Sequence, residues 1–436
     1  MASYSETLER IYNLRGGEID LRLDRMDLAL SLFNHPEKKF PSFHIAGTNG
    51  KGSTAAMLHR ILSLAGYRTA LYTSPHLVSF TERMRIDDSE ISPDEVTELA
   101  EEVRVTTAAA NVALTFFEYI TVMAFIYFAR QKIEVAVVEV GLGGRLDATN
   151  LVVPVVSVIT TISKDHEAYL GADLFSIARE KGGIIKHGIP VVVGAVPESV
   201  AGLFRDMAKE RSSPCYFLGQ SFRISLKNAG VFDYTGIKRN YVSLSVALRG
   251  RHQRNNAAAA LAALELGSEA FPASEDVVRE GLKTVAWPGR FEIVGENPTV
   301  ILDGAHNGEG VSALAAEVEA FRQGRKIKLL FASMEDKDWR LMLATLTRFT
   351  DEVVLTRVGM ERSADPQLLA TQLSDKIPYH VIEDARQGLN FLLDKARSGD
   401  IILVTGSLYL LGEIRPVLRE TAAARPAAPK PANFTA

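Results

Sequence analysis

The chain has a single cysteine, Cys215, in 436 residues. One thiol excludes an internal disulfide framework and a cysteine-rich zinc site, and it suits a reducing compartment. Long apolar runs are also missing: the most apolar stretch, Tyr119 to Ala129, is too short to span a bilayer and contains Thr121. Neither sign of charge dominates, since 49 Lys and Arg against 53 Asp and Glu leave a formal net charge of −4. That balance offers no basic field for nucleic acid or for an anionic membrane surface. The first ten residues carry acids and no apolar core, so no signal peptide is expected and the expected location is cytoplasmic. With 47% apolar and 23% charged residues the composition is that of an ordinary globular protein, and the length calls for two or three domains.

Against that plain background, residues 43 to 54 stand out: Phe-His-Ile-Ala-Gly-Thr-Asn-Gly-Lys-Gly-Ser-Thr. A short apolar strand runs into a glycine-rich turn, then a lysine and two hydroxyls, then a helical pattern with Met57, Leu58, Ile61 and Leu62 apolar. Gly47, Gly50 and Gly52 let backbone N–H groups converge without Cβ interference. Lys51 adds a point charge, Ser53 or Thr54 can place a hydroxyl on magnesium, and the helix start adds its positive dipole end. The spacing departs from the common G-x-x-x-x-G-K-[ST] pattern, because Gly52 separates Lys51 from Ser53. Strand before and helix after are the context such a loop needs. A nucleoside triphosphate site is expected here.

Apolar strands alternate with helical patterns almost throughout, which predicts an α/β fold with a mostly parallel sheet flanked by helices. Ser92-Pro93-Asp94-Glu95 and Thr115-Phe116-Phe117-Glu118 read as capping boxes that open helices. Buried strands are expected over 134–140, 153–163 and 190–193. Around Trp287-Pro288-Gly289-Arg290 the alternation restarts, predicting a smaller Rossmann-like domain over 287–421 after a nucleotide-binding domain over 1–286. The Ala/Pro-rich tail, 422–436, is expected to be disordered.

Polar residues at strand ends are the next candidates, because ligands collect beyond the carboxyl ends of parallel strands. Glu139 ends Val135-Ala136-Val137-Val138 and precedes Gly141-Leu142-Gly143-Gly144. It either ligates a metal, or it pairs with Arg145 or caps a turn. His166 follows the next strand, and its position alongside Glu139 tilts the reading toward magnesium, although imidazole is an unusual ligand for so hard an ion. Lys181 closes a helix, where spacing alone predicts a lysine that complements the dipole and points to water. Asn256, Arg290, Asp303 and His306 together look like the flanks of a cleft between domains.

As a set, these segments resemble the folylpolyglutamate synthase/dihydrofolate synthase family of the Mur ligase superfamily, of the bifunctional bacterial type. The resemblance runs from about Glu18 to Arg419. It is carried by Gly47-Thr-Asn-Gly-Lys-Gly-Ser53, Thr73-Ser-Pro-His76, Glu139-Val-Gly-Leu-Gly-Gly-Arg-Leu-Asp-Ala-Thr-Asn150, Lys181-Gly-Gly-Ile-Ile-Lys186, His252-Gln253 through Asn256-Ala257, Trp287-Pro-Gly-Arg290 and Asp303-Gly-Ala-His-Asn307. It implies magnesium ligands at Ser74, Glu139 and His166 with Ser53 close by, a cis bond before Pro75, and carbamylation of Lys181. That last role needs a buried, neutral amine and reverses the water-facing reading. ATP would be held by Thr48, Asn49, Gly50, Lys51, Gly52, Ser53, Asn256, Arg290 and Asp303, with Lys51, Lys181, Arg290 and His306 catalytic. The pterin would lie on Leu23, Asp24, Arg25, Thr115, Phe116, Leu146, Asp147 and Ala148. In the loop Leu21-Arg22-Leu23-Asp24-Arg25, Arg22 stands where many relatives carry glycine.

The implied activity is ATP-dependent ligation of L-glutamate to the carboxylate of dihydropteroate or of reduced folates, through an acyl phosphate. ATP and magnesium, two ions, are the implied cofactors, and the implied partners are small molecules acting on a monomer, with closure of the two domains excluding water. Three rivals remain. One is a Mur-type ligase acting on a nucleotide-sugar, against which Leu23-Asp24-Arg25 and Thr115-Phe116-Phe117-Glu118 argue. Another is a nucleotide-binding switch that ligates nothing, although no Asn-Lys-x-Asp element is present. The third is a phosphotransferase that stops at the acyl phosphate.

Overall fold

A computed structural model of the chain describes residues 2–14, 22–227, 230–373 and 377–424. Leu21, Glu18 and the tail from 425 onward lie outside the described residues, while 422–424 continue the last helix, Leu408–Ala424. The chain divides into two compact units, Met1–Trp287 and Pro288–Ala436.

The first unit is built on an eight-stranded sheet. Its strands are β1 (Ser42–Ala46), β2 (Thr69–Tyr72), β3 (Met84–Ile86), β4 (Ser89–Glu90), β5 (Val135–Glu139), β6 (Pro154–Thr161), β7 (Val191–Ala195) and β8 (Cys215–Phe217), in the order β4-β3-β2-β5-β1-β6-β7-β8. From β2 to β8 all pairings are parallel, and β3 and β4 add an antiparallel edge. Every residue of β1 and β5 is buried; β5 accordingly reads as a near-continuous apolar run, whereas β1 buries Ser42 and His44 among its apolar residues. One face of the sheet packs Phe43, Ile45 and Val137 against the helices Lys51–Leu64 and Arg251–Leu266. The alanine run 257–260 lets that second helix approach closely. The other face packs Ala136 and Val138 against the helix Phe116–Arg130, buried over most of its surface.

Both expected capping boxes are present. Ser92 exchanges hydrogen bonds with Glu95 ahead of the helix Pro93–Ala109, and Thr115 does so with Glu118 ahead of Phe116–Arg130. A three-stranded antiparallel sheet, β9 (Arg223–Leu226), β10 (Phe232–Thr235) and β11 (Asn240–Leu244), is an addition that the sequence did not announce. Its strands are short and largely exposed on one side.

The second unit carries β12 (Glu292–Glu296), β13 (Thr299–Leu302), β14 (Ile327–Phe331), β15 (Glu352–Arg357), β16 (Tyr379–Asp384) and β17 (Ile401–Thr405), in the order β12-β13-β17-β14-β15-β16. All pairings are parallel except that of β12 with β13. The architecture is therefore α/β throughout, with mostly parallel sheets. No described helix is long and apolar enough to cross a membrane.

Candidate active site

The carboxyl edge of the first sheet gathers most of the residues singled out from the sequence. β1 ends at Ala46, and the loop Gly47–Gly50 carries the chain into the helix Lys51–Leu64. Gly50 adopts φ 85° and caps that helix, and a Cβ there would collide with Asn256 Oδ1. Only glycine meets both demands. The contact also puts Asn256, 4% exposed and tied to Gln253 by a 3.0 Å bond, directly against the loop. Gly52 lies under the indole of Trp287.

The loop is braced from β6 and the turn after it. Thr48 N–H donates to Thr161 O at 2.8 Å, and Thr48 Oγ1 donates to Ser163 O at 3.1 Å. Asn49 N–H donates to Thr161 Oγ1 at 3.0 Å, while Thr160 Oγ1 donates to Asn49 O at 2.6 Å. Lys51 Nζ folds back onto Thr48 O at 3.2 Å. With the loop so fixed, the first N–H groups of the helix point outward at its N-terminus, a ready anion site.

Lys181 is buried, at 5% exposure, and its Nζ donates to Gly47 O at 2.9 Å. Spacing alone points it at water, and the structure corrects that. The helix Leu174–Gly182 delivers it onto the loop because Gly144 and Gly183 let the 141–145 turn and the helix end close on each other. Burial, then the charge of Lys51, push its amine down to about 7, against Asp165 and Asp147. Burial thus favours the neutral amine, where an exposed lysine would stay charged.

Glu139 is the last residue of β5 and 5% exposed. Its Oε2 accepts from Ser74 N–H at 3.2 Å, and the Ser74–Pro75 bond is cis. β1 lies between β5 and β6, pairing Ile45 with Glu139 and Ala46 with Ile159. Glu139 and His166 thus leave the same edge of one sheet, on either side of the nucleotide loop. His166, at φ 52°, caps the short helix Glu167–Leu170, with Nε2 4.0 Å from Asp165 Oδ2. No group of three or more His, Cys, Asp or Glu side chains among the described residues is placed to hold a metal ion. The donors expected here are the Glu139 carboxylate, the His166 imidazole and the hydroxyls of Ser53 and Ser74, with the Asp165 carboxylate beside His166. So sparse a set suits a hard cation that keeps phosphate oxygens and water as its other ligands.

The expected pterin residues fall into two linked groups. Arg25, from the helix Asp24–Ser31, holds Glu118 with Nε at 3.0 Å and Nη2 at 2.8 Å, so 23–25 are tied to the Thr115–Glu118 cap. Phe116 sits 6.1 Å from Tyr12 and under the guanidinium of Arg83 at 5.6 Å, while Phe117 packs on Gly141. Asp147, buried, caps the turn Ala148–Leu151, and Ala148 shares an apolar cluster with Phe116 and Phe117. In the second unit, Asp303 is buried at the end of β13, where its carboxylate accepts from Phe291 N–H at 2.8 Å and Ala305 N–H at 2.9 Å. Burial raises its pKa and the charge of Arg290 opposes the rise. His306 Nδ1 bonds Gly304 O at 2.8 Å.

Comparison with known proteins settles the family. The Mur ligase middle domain matches residues 45–264, and the Mur ligase glutamate ligase domain matches residues 289–408. The dihydrofolate synthase/folylpolyglutamate synthase of Bacillus subtilis (strain 168) is 36% identical over 410 residues, spanning 91% of this chain and 95% of that protein. The chain belongs to the dihydrofolate synthase/folylpolyglutamate synthase family of Mur ligases. The Escherichia coli (strain K12) protein of the same name is 33% identical, over 96% of this chain and 95% of its own. Among solved structures, E. coli FolC in complex with DHPP and ADP superposes with a TM-score of 0.89 at 32% identity, over 97% of this chain and 99% of that one. The Yersinia pestis bifunctional enzyme complexed with AMPPNP and Mn ion gives 0.87 at 31%, over 96% and 98%.

Several residues at the edge of this Mur-type fold had escaped the sequence reading. Thr160, Thr161 and Ser163 set the shape of the nucleotide loop, and Arg83, 3% exposed and lying over the Phe116 ring, donates to His76 Nδ1 at 2.8 Å. Hydroxyls at the end of an otherwise apolar strand were the available signal for the first three. Arg83 gave none, because a lone arginine in Thr81-Glu82-Arg83 reads as surface.

Proposed function

We infer that this chain is an ATP-dependent ligase that joins L-glutamate to the carboxylate of dihydropteroate, of reduced folates, or of both. The observation that carries the reading is Lys181, buried with its amine on the carbonyl of Gly47. A nucleotide switch has no use for a desolvated lysine at that point, whereas a ligase of this family does.

A carboxylate is a poor acyl donor, so it first needs a leaving group. One substrate carboxylate oxygen attacks the γ-phosphorus of ATP, the bond to the β–γ bridging oxygen breaks, and ADP departs. The α-amine of glutamate then attacks the acyl carbon of the acyl phosphate. Phosphate leaves with the electron pair of the carbon–oxygen bond, and the amine loses a proton as the amide forms. The N–H groups at the start of the helix Lys51–Leu64 and the Lys51 charge hold the triphosphate, with Thr48, Asn49, Gly50, Gly52, Ser53 and Asn256 fixing its position; such positioning and charge neutralisation supply most of the catalysis in phosphoryl transfer. Arg290, Asp303 and His306 bind nucleotide and act in phosphoryl transfer in this reading. Ser53, Ser74, Glu139 and His166 would hold magnesium, with carbamylated Lys181 facing a second ion; bound there, magnesium neutralises charge on the transferring phosphoryl group. Leu23, Asp24, Arg25, Thr115, Phe116, Leu146, Asp147 and Ala148 take the pterin, Phe116 by stacking. A monomer in a reducing, cytoplasmic setting goes with this reading.

The test is ADP release by purified protein with magnesium, dihydropteroate and L-glutamate, each omitted in turn. ADP should appear only with all components present, together with a product heavier by one glutamyl residue. Release that is indifferent to glutamate removes the ligase reading.

A further inference from the structure

His44 lies in the middle of β1, fully buried, three residues before the nucleotide loop begins at Gly47. Its neighbours Phe43 and Ile45 face the helices on one side of the sheet, so His44 faces the other, toward the turn Ala148–Leu151. There its Nε2 lies 2.8 Å from Thr149 Oγ1, a hydroxyl that is itself fully buried. Thr149 Oγ1 donates its proton to Asp147 Oδ1, and Thr149 N–H reaches the same oxygen at 2.9 Å. The second oxygen of Asp147 accepts from Leu142 N–H at 2.9 Å.

These bonds fix the direction of the chain. A hydroxyl has one proton, and with the Asp147 carboxylate ionised, as the N–H groups of Thr149 and Leu142 favour against the burial that raises its pKa, Thr149 spends that proton on Asp147, so His44 Nε2 is the donor to Thr149. His44 is then the neutral Nε2–H tautomer. Its Nδ1, which has no hydrogen-bond partner among the described residues, is the deprotonated nitrogen. Burial, followed by the charge of Lys186, holds the ring neutral by pushing its pKa down to about 3. An apolar residue would fill this strand position with no unmatched nitrogen, so a histidine here needs a reason beyond packing.

We propose that His44 is a positioning residue for the ligation: acting through Thr149, it orients the Asp147 carboxylate and with it the turn Leu146–Ala148 that receives the pterin-bearing substrate. The relay joins the strand that feeds the nucleotide loop to the turn on the substrate side, 105 residues away in sequence. It rests on the assignment of Asp147 to the substrate made above.

The experiment measures KM for dihydropteroate and for ATP separately, with thermal midpoints, in His44→Leu, His44→Gln, Thr149→Val and Asp147→Ala. Glutamine can place an N–H near the position of Nε2; leucine cannot. His44→Leu and Thr149→Val should each raise the dihydropteroate KM about tenfold, the effect of one lost buried hydrogen bond, and leave the ATP KM within about twofold. The double variant should be no worse than either single one, since both break one chain. His44→Gln should restore most of the loss. Parallel rises in both KM values, or no rescue by glutamine, would make His44 a merely structural residue and overturn the relay. An Asp147→Ala variant with unchanged dihydropteroate KM would instead remove Asp147 from the substrate site. If Asp147→Ala raises that KM while His44→Leu does not, the relay alone fails.

Discussion

Two buried charges, one in each unit, have opposite fates. Glu352, at the start of β15, is bracketed by Lys328 at 2.5 Å, Lys395 at 3.1 Å and His380 at 3.1 Å. Burial would raise its carboxyl, but the bonds from Lys328 and Lys395 more than reverse this and hold it down to about 2. Lys181 is as deeply buried, yet its amine donates to a neutral carbonyl, that of Gly47, and its pKa moves the other way, to about 7. A charge that is buried and matched on several sides is part of the architecture. One that is buried and left under-compensated is held in a reactive state, and such groups mark functional sites.

The comparison breaks first at Lys181. Lys181→Met should lower turnover by about a thousandfold or more, on the scale of losing a group that acts in the transition state, while circular dichroism shows a folded protein. Lys181→Ala should regain part of its activity with added short carboxylates that can stand in for a carbamate. Wild-type turnover in either variant would place Lys181 with Glu352 as architecture.

Stability against pH sharpens the same contrast. Between about pH 7 and 10.5 the folded chain has lost the Lys181 proton and the unfolded chain keeps it. The unfolded state therefore binds more protons, and this group makes stability rise with pH across that window. Below pH 7 its full penalty is present. In bicarbonate-free buffer Lys181→Met should be more stable than the parent below pH 7, by roughly 1–4 kcal/mol, and the gain should vanish toward pH 10.5. Urea titrations at pH 6, 8 and 10 measure it, and a gain that does not depend on pH contradicts the assignment.

Lys181 also shows where sequence reading stops. The nucleotide loop, the two capping boxes and the carboxylate ending β5 are local features, each written within about a dozen neighbouring residues, and each was legible. Helical spacing placed Lys181 in a last turn and stopped there; what buries it is the 141–145 loop, brought in by tertiary packing, and only the family resemblance reversed the water-facing reading. Arg25 with Glu118, and His44 with Thr149, pair across 93 and 105 residues, and no pattern in a single sequence encodes such partners. The small sheet β9–β11 was missed for another reason. Strands of four or five half-exposed residues carry too little alternation to rise above a loop.

At Glu352 the expected effect is smaller and of another kind. Glu352→Gln removes the charge and strands Lys328 beside a neutral amide, so it should cost roughly 1–3 kcal/mol at pH 7, with turnover per folded molecule unchanged. Because the folded carboxyl is depressed, its contribution is fully present above about pH 4.5 and is lost as pH falls toward 2. The curves for parent and variant should converge over that window.

The weakest effect belongs to a charge pair on the surface. Arg104 and Glu101 meet at 2.6 Å, one helical turn apart, with the two side chains 52% and 49% exposed. The distance matches the closest contacts around Glu352, so if short contacts alone made a pair matter, Arg104→Ala would destabilise as much as Glu352→Gln. Water and salt screen an exposed pair, and holding two long side chains together opposes the small attraction that remains. Arg104→Ala should therefore leave the thermal midpoint unmoved at both low and high ionic strength. A drop comparable to that of Glu352→Gln would mean that distance, and not burial, separates the charges that hold this fold from those that decorate it.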